Sequence, residues 1–109
     1  MATTYKVLGQ SSPSATTATT LYTVPAATET IVSTVTVANR AATAGSYRIA
    51  IRVAGASLAN SQYIAYDVSL PANASDTLTL GLTVGATDVI TVYASSADFT
   101  FSAFGSEIA

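Results

Sequence analysis

The chain has 109 residues, four basic and six acidic side chains, a formal net charge of −2, and neither histidine nor cysteine. This length is typical of one domain. The lack of cysteine excludes disulfides and thiolate chemistry, and the lack of histidine removes the commonest general base and metal ligand. Nucleic-acid binding requires clustered basic side chains, so we expect no nucleic-acid partner.

Hydrophobic residues make up 50% of the chain, and the mean hydropathy is +0.46. Serine or threonine interrupts every apolar run, so no stretch approaches the roughly 20 apolar residues of a membrane-spanning helix. The first residues, MATTYK, lack the apolar segment of a secretory signal. We therefore expect a protein that is made in the cytoplasm and has no membrane partner.

Charged residues form only 9% of the chain, against about 25% in a typical soluble domain. A protein with so few charges repels its own copies weakly. The composition therefore favours a component of an assembly. A free monomer with a threonine-rich surface is the alternative.

In chain order, residues 5–8 predict a short first strand. Residues 9–20 have no periodicity and predict a loop or an extended arm. Such a segment is either an ordinary surface loop or an arm that orders against a neighbouring subunit. Residues 21–24 predict a second strand, which ends at Pro25.

Residues 29–38 are dense in β-branched side chains and predict a long strand. Strict alternation along it gives an apolar face of Ile31, Val35 and Val37 that also carries Ser33.

Residues 47–53, YRIAIRV, show the clearest alternation in the chain. Successive side chains of a strand point to opposite faces. One face, expected to be buried, carries Tyr47, Ile49, Ile51 and Val53. Arg48 and Arg52 lie on the other face with an alanine between them.

Four further strands are predicted downstream, at residues 62–70, 77–84, 89–94 and 99–104. The first is expected to bury Ile64, Tyr66, Val68 and Leu70. The second is expected to bury Leu78, Leu80, Leu82 and Val84.

About eight short strands, separated by turn signals and without a helical period, indicate an all-β protein. The prediction is a single antiparallel β-sandwich domain over residues 1–109, with a jelly-roll-like arrangement.

The residues offer no recognisable catalytic or metal-binding constellation. Nucleophilic catalysis of the Ser–His type is impossible without histidine. The acidic residues are scattered, mostly at strand ends and turns, which argues against a carboxylate pair and against a calcium loop. We therefore predict no catalytic residues, no metal site and no cofactor, and we do not expect an enzyme.

Two arginines and two tyrosines are the candidate interface residues. Arg48, Arg52, Tyr63 and Tyr93 fall on faces that alternation predicts to be exposed, whereas Tyr47 and Tyr66 fall on faces predicted to be core. Tyrosine and arginine are enriched in interfaces, and arginine there pairs well with a carboxylate. The alternative is that these four are ordinary solvent-facing side chains of a sheet.

Several segments carry a family resemblance. They are YKVLGQ at residues 5–10, LYTVPA at 21–26, VSTVTVAN at 32–39, QYIAYD at 62–67, LGLTVGATDV at 80–89 and FSAFG at 101–105. Together they resemble small virion proteins of tailed bacteriophages, especially those of aquatic phages and cyanophages. The matching segments are structural, so no catalytic residue is carried over from the family.

The resemblance implies a β-sandwich on the outside of the virion. It favours a head decoration (cement) protein that binds the capsid and stabilises it. The alternative is a tail, collar, baseplate or fibre component, which could bind host-surface glycans through Tyr63 and Tyr93. The implied partners are the major capsid protein or other virion proteins and further copies of the chain, with a trimer favoured.

Overall fold

The computed structural model describes residues 2–109. It contains eight strands and two short 3-10 turns, Val53–Gly55 and Asn60–Gln62. The strands are β1 (Thr3–Ser11), β2 (Thr19–Thr23), β3 (Glu29–Asn39), β4 (Gly45–Arg52), β5 (Tyr63–Leu70), β6 (Ser75–Val84), β7 (Val89–Ala94) and β8 (Phe99–Ile108).

The strands form two four-stranded sheets that pack face to face. The first sheet has the order β1-β8-β3-β6 and the second the order β2-β7-β4-β5. All neighbouring strands are antiparallel. Consecutive strands lie in different sheets, except for β4 and β5, which are neighbours. This is the strand order of a jelly roll, so the predicted fold class is confirmed.

The core lies between the sheets and is built from the inward half of each alternating strand. Tyr47 of β4 is buried near its centre, where its ring meets Phe101 edge-on at 6.1 Å and Phe99 at 6.5 Å. Valines and isoleucines of β3, β4 and β7 fill the remainder. Burial of these apolar side chains supplies most of the driving force for folding.

A β-bulge in β3 overturns the predicted apolar face of that strand. Val32 pairs with Gly105 of β8 and Thr34 with Phe104, so Ser33 is an extra residue. The extra residue reverses the alternation. Val32, Val35 and Val37 are therefore buried together, whereas Ile31, predicted to share a face with Val35 and Val37, is 41% exposed.

Bulges in β5 also correct the prediction for Tyr66. Ile49 of β4 pairs with Ala65 and Tyr47 pairs with Val68, so Tyr66 and Asp67 together oppose Arg48. Both bulge residues point away from the core. Tyr66 is 55% exposed, although strict alternation predicts it in the core.

The sandwich is open where the edge strands β5 and β6 face each other. A cleft of about 350 Å³ lies there, lined mainly by Ile64, Ala65, Val68, Leu78 and Leu80. Ile64 and Leu80 were expected in the closed core but are substantially exposed at this cleft. Leu80 sits beside Gly81, whose φ is +64°, in an irregular part of β6.

Three predicted boundaries are also corrected. Val53 belongs to a 3-10 turn and is largely exposed, so it does not end the buried face of β4. Residues 9–11 extend β1 and residues 19–20 begin β2, so the predicted arm at 9–20 shrinks to a connection at 12–18. That connection contacts its own chain, since the Thr16 amide donates to the Ala94 carbonyl at 2.8 Å. β8 runs on to Ile108, beyond its predicted end at residue 104.

Candidate functional site

A cluster of aromatic and charged side chains lies on the outer face of the second sheet, centred on Arg48. The guanidinium carbon of Arg48 is 4.2 Å from the ring centroid of Tyr66 and 4.3 Å from that of Tyr93. Its Nε donates to Asp67 Oδ1 at 2.6 Å, and Nη2 donates to Asp67 Oδ2 at 3.3 Å. One arginine thus stacks against two rings and holds one carboxylate with both oxygens, as guanidinium geometry allows.

Strand register explains why these four side chains meet. Tyr93 of β7 lies directly opposite Arg48. On the other side, the β5 bulge places both Tyr66 and Asp67 against Arg48. The bulge needs Asp67 at a φ of +51°, a left-handed conformation that aspartate tolerates better than most residues.

The pair formed by Arg48 and Asp67 is held in its charged form. The hydrogen bonds from Arg48 lower the pKa of Asp67 below its ordinary value. The hydrogen bond with Asp67 raises the pKa of Arg48 further above neutrality. The two charges cancel, so the cluster as a whole is neutral.

Tyr63 extends the cluster towards the loop before β5. Its ring meets that of Tyr66 edge-on, with centroids 4.9 Å apart. Tyr63, Tyr66 and Asn60 line a surface hollow of about 390 Å³. The hydroxyls of the two tyrosines and the amide of Asn60 make no hydrogen bond to other described side chains or backbone groups of residues 2–109.

Arg52 lies on the same face but has a different role. Its Nε donates to the Ala56 carbonyl at 2.7 Å and its Nη2 to the Gly55 carbonyl at 3.0 Å. These bonds fix the loop that follows β4. The structure therefore brings Arg48, Tyr63 and Tyr93 into one cluster and gives Arg52 to the adjacent loop.

Tyr66 and Asp67 were not predicted as members of the cluster. Strict alternation puts Asp67 on the outward face of β5 and Tyr66 on the inward face, and it cannot predict that both oppose Arg48, because the bulge adds a residue there. Aspartate is depleted within strands, and this was the signal in the sequence for an irregularity at residue 67.

A second candidate surface is the outer face of the first sheet. Strand register and burial give it an apolar patch, which consists of Tyr5, Val7, Ile31, Phe104 and Ile108. Tyr5 is 84% exposed. Serine and threonine side chains cover most of the remaining face. Among residues 2–109, the charged side chain that alternation places on this outer face is that of Glu29, at one end of β3.

A buried polar network joins the two sheets on the side of β1 and β2. The Tyr22 hydroxyl donates to Glu107 Oε2 at 2.5 Å, and it lies 2.8 Å from the Thr30 hydroxyl. Lys6 pairs with the other oxygen of Glu107 at 3.2 Å. Burial, together with the bond to Glu107, raises the pKa of Tyr22 to about 12. The bond from Tyr22 lowers the pKa of Glu107.

A matching contact lies near the opposite edge, where the Tyr47 hydroxyl donates to Asp76 Oδ2 at 2.8 Å. Burial, together with Asp76, raises the pKa of Tyr47. Both contacts satisfy a buried phenol with a carboxylate of the other sheet, which is a structural use of these acids.

Over residues 2–109, no group of three or more acidic, histidine or cysteine side chains converges to hold a metal ion. In the same part of the chain, no helix has the length and apolarity needed to cross a membrane.

Comparison of the chain with protein-family models, with curated proteins and with solved structures finds no match. The assignment of the fold therefore rests on the structure alone.

Proposed function

We propose that this chain is a structural protein of a tailed-bacteriophage virion, a decoration protein that binds the outside of the head and stabilises it. The observation that carries the proposal is the apolar patch on the outer face of the first sheet. The segments that resemble phage virion proteins support the same role, and so does the low content of charge.

In a free monomer the patch would expose apolar surface to water, which is unfavourable in free energy. Tyr5 and Val7 of β1 and Ile31 of β3 each expose two-fifths or more of their surface, and β8 lies between these two strands. Contiguous apolar surface of this kind marks a contact with another protein. The proposed role is non-catalytic, since contact surfaces of this kind are what an assembled shell requires of its components.

A second copy of the chain is the proposed occupant of the patch. Copies related by symmetry present the same groups to one another, so like charges meet near the symmetry axis. A face with Glu29 as its outward charge, placed at one end, avoids most of that repulsion. The neighbouring threonine and serine hydroxyls can form a polar rim around the apolar centre.

The proposal is tested by comparing virions made with and without this protein. Virions without it should lose their DNA at a lower temperature than complete virions, and more readily when diluted into a buffer of low salt concentration. The reason is that a cement protein clamps neighbouring capsid subunits. Adding back the purified protein should restore the stability. Virions that are equally stable without the protein would contradict the role.

A further inference from the structure

The hollow formed by Tyr63, Tyr66 and Asn60 has the chemistry of a ligand site, and the proposed virion role leaves it unused. It lies on the outer face of the second sheet, opposite the apolar patch. An assembly that buries the first sheet would therefore leave the hollow facing solvent. We propose that this hollow binds a neutral saccharide.

The Tyr66 ring points away from the core, into the hollow. A regular β5 would turn this ring into the core, but the bulge turns it outward at the cost of a left-handed Asp67. Bulges commonly re-aim a side chain at a functional site. A strained backbone conformation, such as the left-handed φ of Asp67, is also common at functional sites.

Neighbouring side chains hold the exposed Tyr66 ring in place. The Arg48 guanidinium packs at 4.2 Å from Tyr66, and Asp67 holds that guanidinium through two hydrogen bonds. The edge-on contact with the Tyr63 ring restricts the Tyr66 ring further. A ring that is already ordered loses little conformational entropy on binding a ligand.

The charge of the site favours a neutral ligand. The nearest cation, Arg48, is already neutralised by Asp67, so the site offers no free charge to a phosphate, sulfate or carboxylate. A nucleic acid would meet no basic cluster here. The groups left for a ligand are two phenol hydroxyls, one amide and the aromatic surface.

These groups match a sugar ring. The face of a pyranose that carries C–H bonds packs against an aromatic ring, while its hydroxyls exchange hydrogen bonds with amides and phenols. The volume of about 390 Å³ falls within the range of about 300–1,000 Å³ for small-ligand sites. A protein partner would instead need a much larger contact, of about 800 Å² on each side.

The test uses the intact purified chain and an array of neutral and acidic glycans. Saturation-transfer NMR with glucose, galactose, mannose and N-acetylglucosamine oligosaccharides would detect weak binding. We expect binding to at least one neutral glycan. Tyr66→Ala and Asn60→Ala should each weaken it at least tenfold, and Tyr5→Ala on the opposite sheet should leave it unchanged.

Asn60→Ala keeps the inference testable if Tyr66→Ala reduces folding, and melting temperatures identify such a variant. The inference is overturned by no saccharide binding at millimolar concentration, by binding of acidic glycans alone, or by binding that both variants retain. A purified protein captured through Tyr66 in the absence of glycan binding would also overturn it. Because the assay uses the isolated chain, its result is independent of the location of the protein on a virion.

Discussion

Hydrogen bonds between a few side chains connect the two sheets of this sandwich. The hydrogen bond from Tyr22 to Glu107 joins β2 of the second sheet to β8 of the first. Glu107 in turn holds Lys6 of β1. The carboxylate is mostly buried, so its hydrogen bonds face little competition from water.

We expect Glu107→Gln to lower the free energy of unfolding at pH 7 by about 2 kcal/mol, the usual worth of a hydrogen bond to a charged group. The folded-state pKa of Glu107 is lowered. Its stabilisation is therefore complete above its unfolded pKa of about 4.3, and it is lost as the pH falls through the lower folded value. Urea unfolding at pH 7, 5 and 3 measures this. The difference between the variant and the natural chain should shrink as the pH falls from 5 to 3, and a constant difference at all three values would contradict the assignment.

Gly9 permits the close approach of β1 to β2. A β-carbon at this position would lie 2.2 Å from the Leu21 carbonyl oxygen, which is backbone and cannot turn away. We expect Gly9→Ala to cost about 1–3 kcal/mol, as overpacking does in a tight site.

Gly85→Ala is the matched control, because the nearest atom to its new β-carbon is 3.9 Å away. It should leave the urea midpoint nearly unchanged. Equal destabilisation by the two substitutions would show that loss of glycine itself, and not the contact with Leu21, sets the cost.

At the scale of strands, alternation predicted the number of elements but not their irregularities. Each of the eight strands was found near its expected place because apolar and polar side chains alternate along it. Bulges at Ser33 and at Tyr66–Asp67 add residues that change the face on which Ile31 and Tyr66 lie. Ser33 is an ordinary polar residue of a threonine-rich strand, so nothing in the sequence signals its bulge. Gly81 is different, since an isolated glycine within a strand pattern is a known sign of irregular pairing.

The candidate site was likewise predicted only in part. Arg48, Tyr63 and Tyr93 were predicted on outward faces, and the structure clusters them. The contact that completes the cluster depends on which β5 residues oppose Arg48. The alternation within one strand does not determine how that strand pairs with its neighbour, so this contact could not be predicted.

Deletion of Ser33 tests the bulge. Removing it leaves Val32 inward, Thr34 outward and Val35 inward, so the core pattern of β3 survives on both sides. We expect this variant to fold and to lose about 1 kcal/mol, including the hydrogen bond from Ser33 to the Phe104 carbonyl.

Deletion of Thr36 is the comparison, because it reverses every side chain on one side of the gap. That variant should fail to fold, as judged by circular dichroism and urea unfolding. A stable Thr36 deletion together with an unfolded Ser33 deletion would contradict the assigned register.

At the scale of the whole molecule, the two outer faces differ in chemistry. The first sheet presents the apolar patch and few charges, whereas the second presents the neutral cluster around Arg48 with a hollow beside it. The proposed contact between copies buries the first sheet and leaves the second sheet of each copy exposed to solvent.

We expect Ile31→Lys to prevent self-association without lowering the melting temperature, because residue 31 is exposed in the monomer and the new charges would meet across the contact. Light scattering coupled to gel filtration measures the mass. Thr77→Lys, exposed on the edge strand of the same sheet and outside the patch, should leave the oligomer intact. A natural chain that is monomeric at every concentration would contradict the homotypic contact.

Immunogold electron microscopy of intact virions of the phage that the proposed role implies tests the central claim most directly. The proposed role predicts gold label spread over the head, at a density that reflects many copies. Label confined to the neck, baseplate or fibres would instead indicate a tail component and contradict the decoration role. A complete absence of label from intact virions would contradict a place on the outside of the particle.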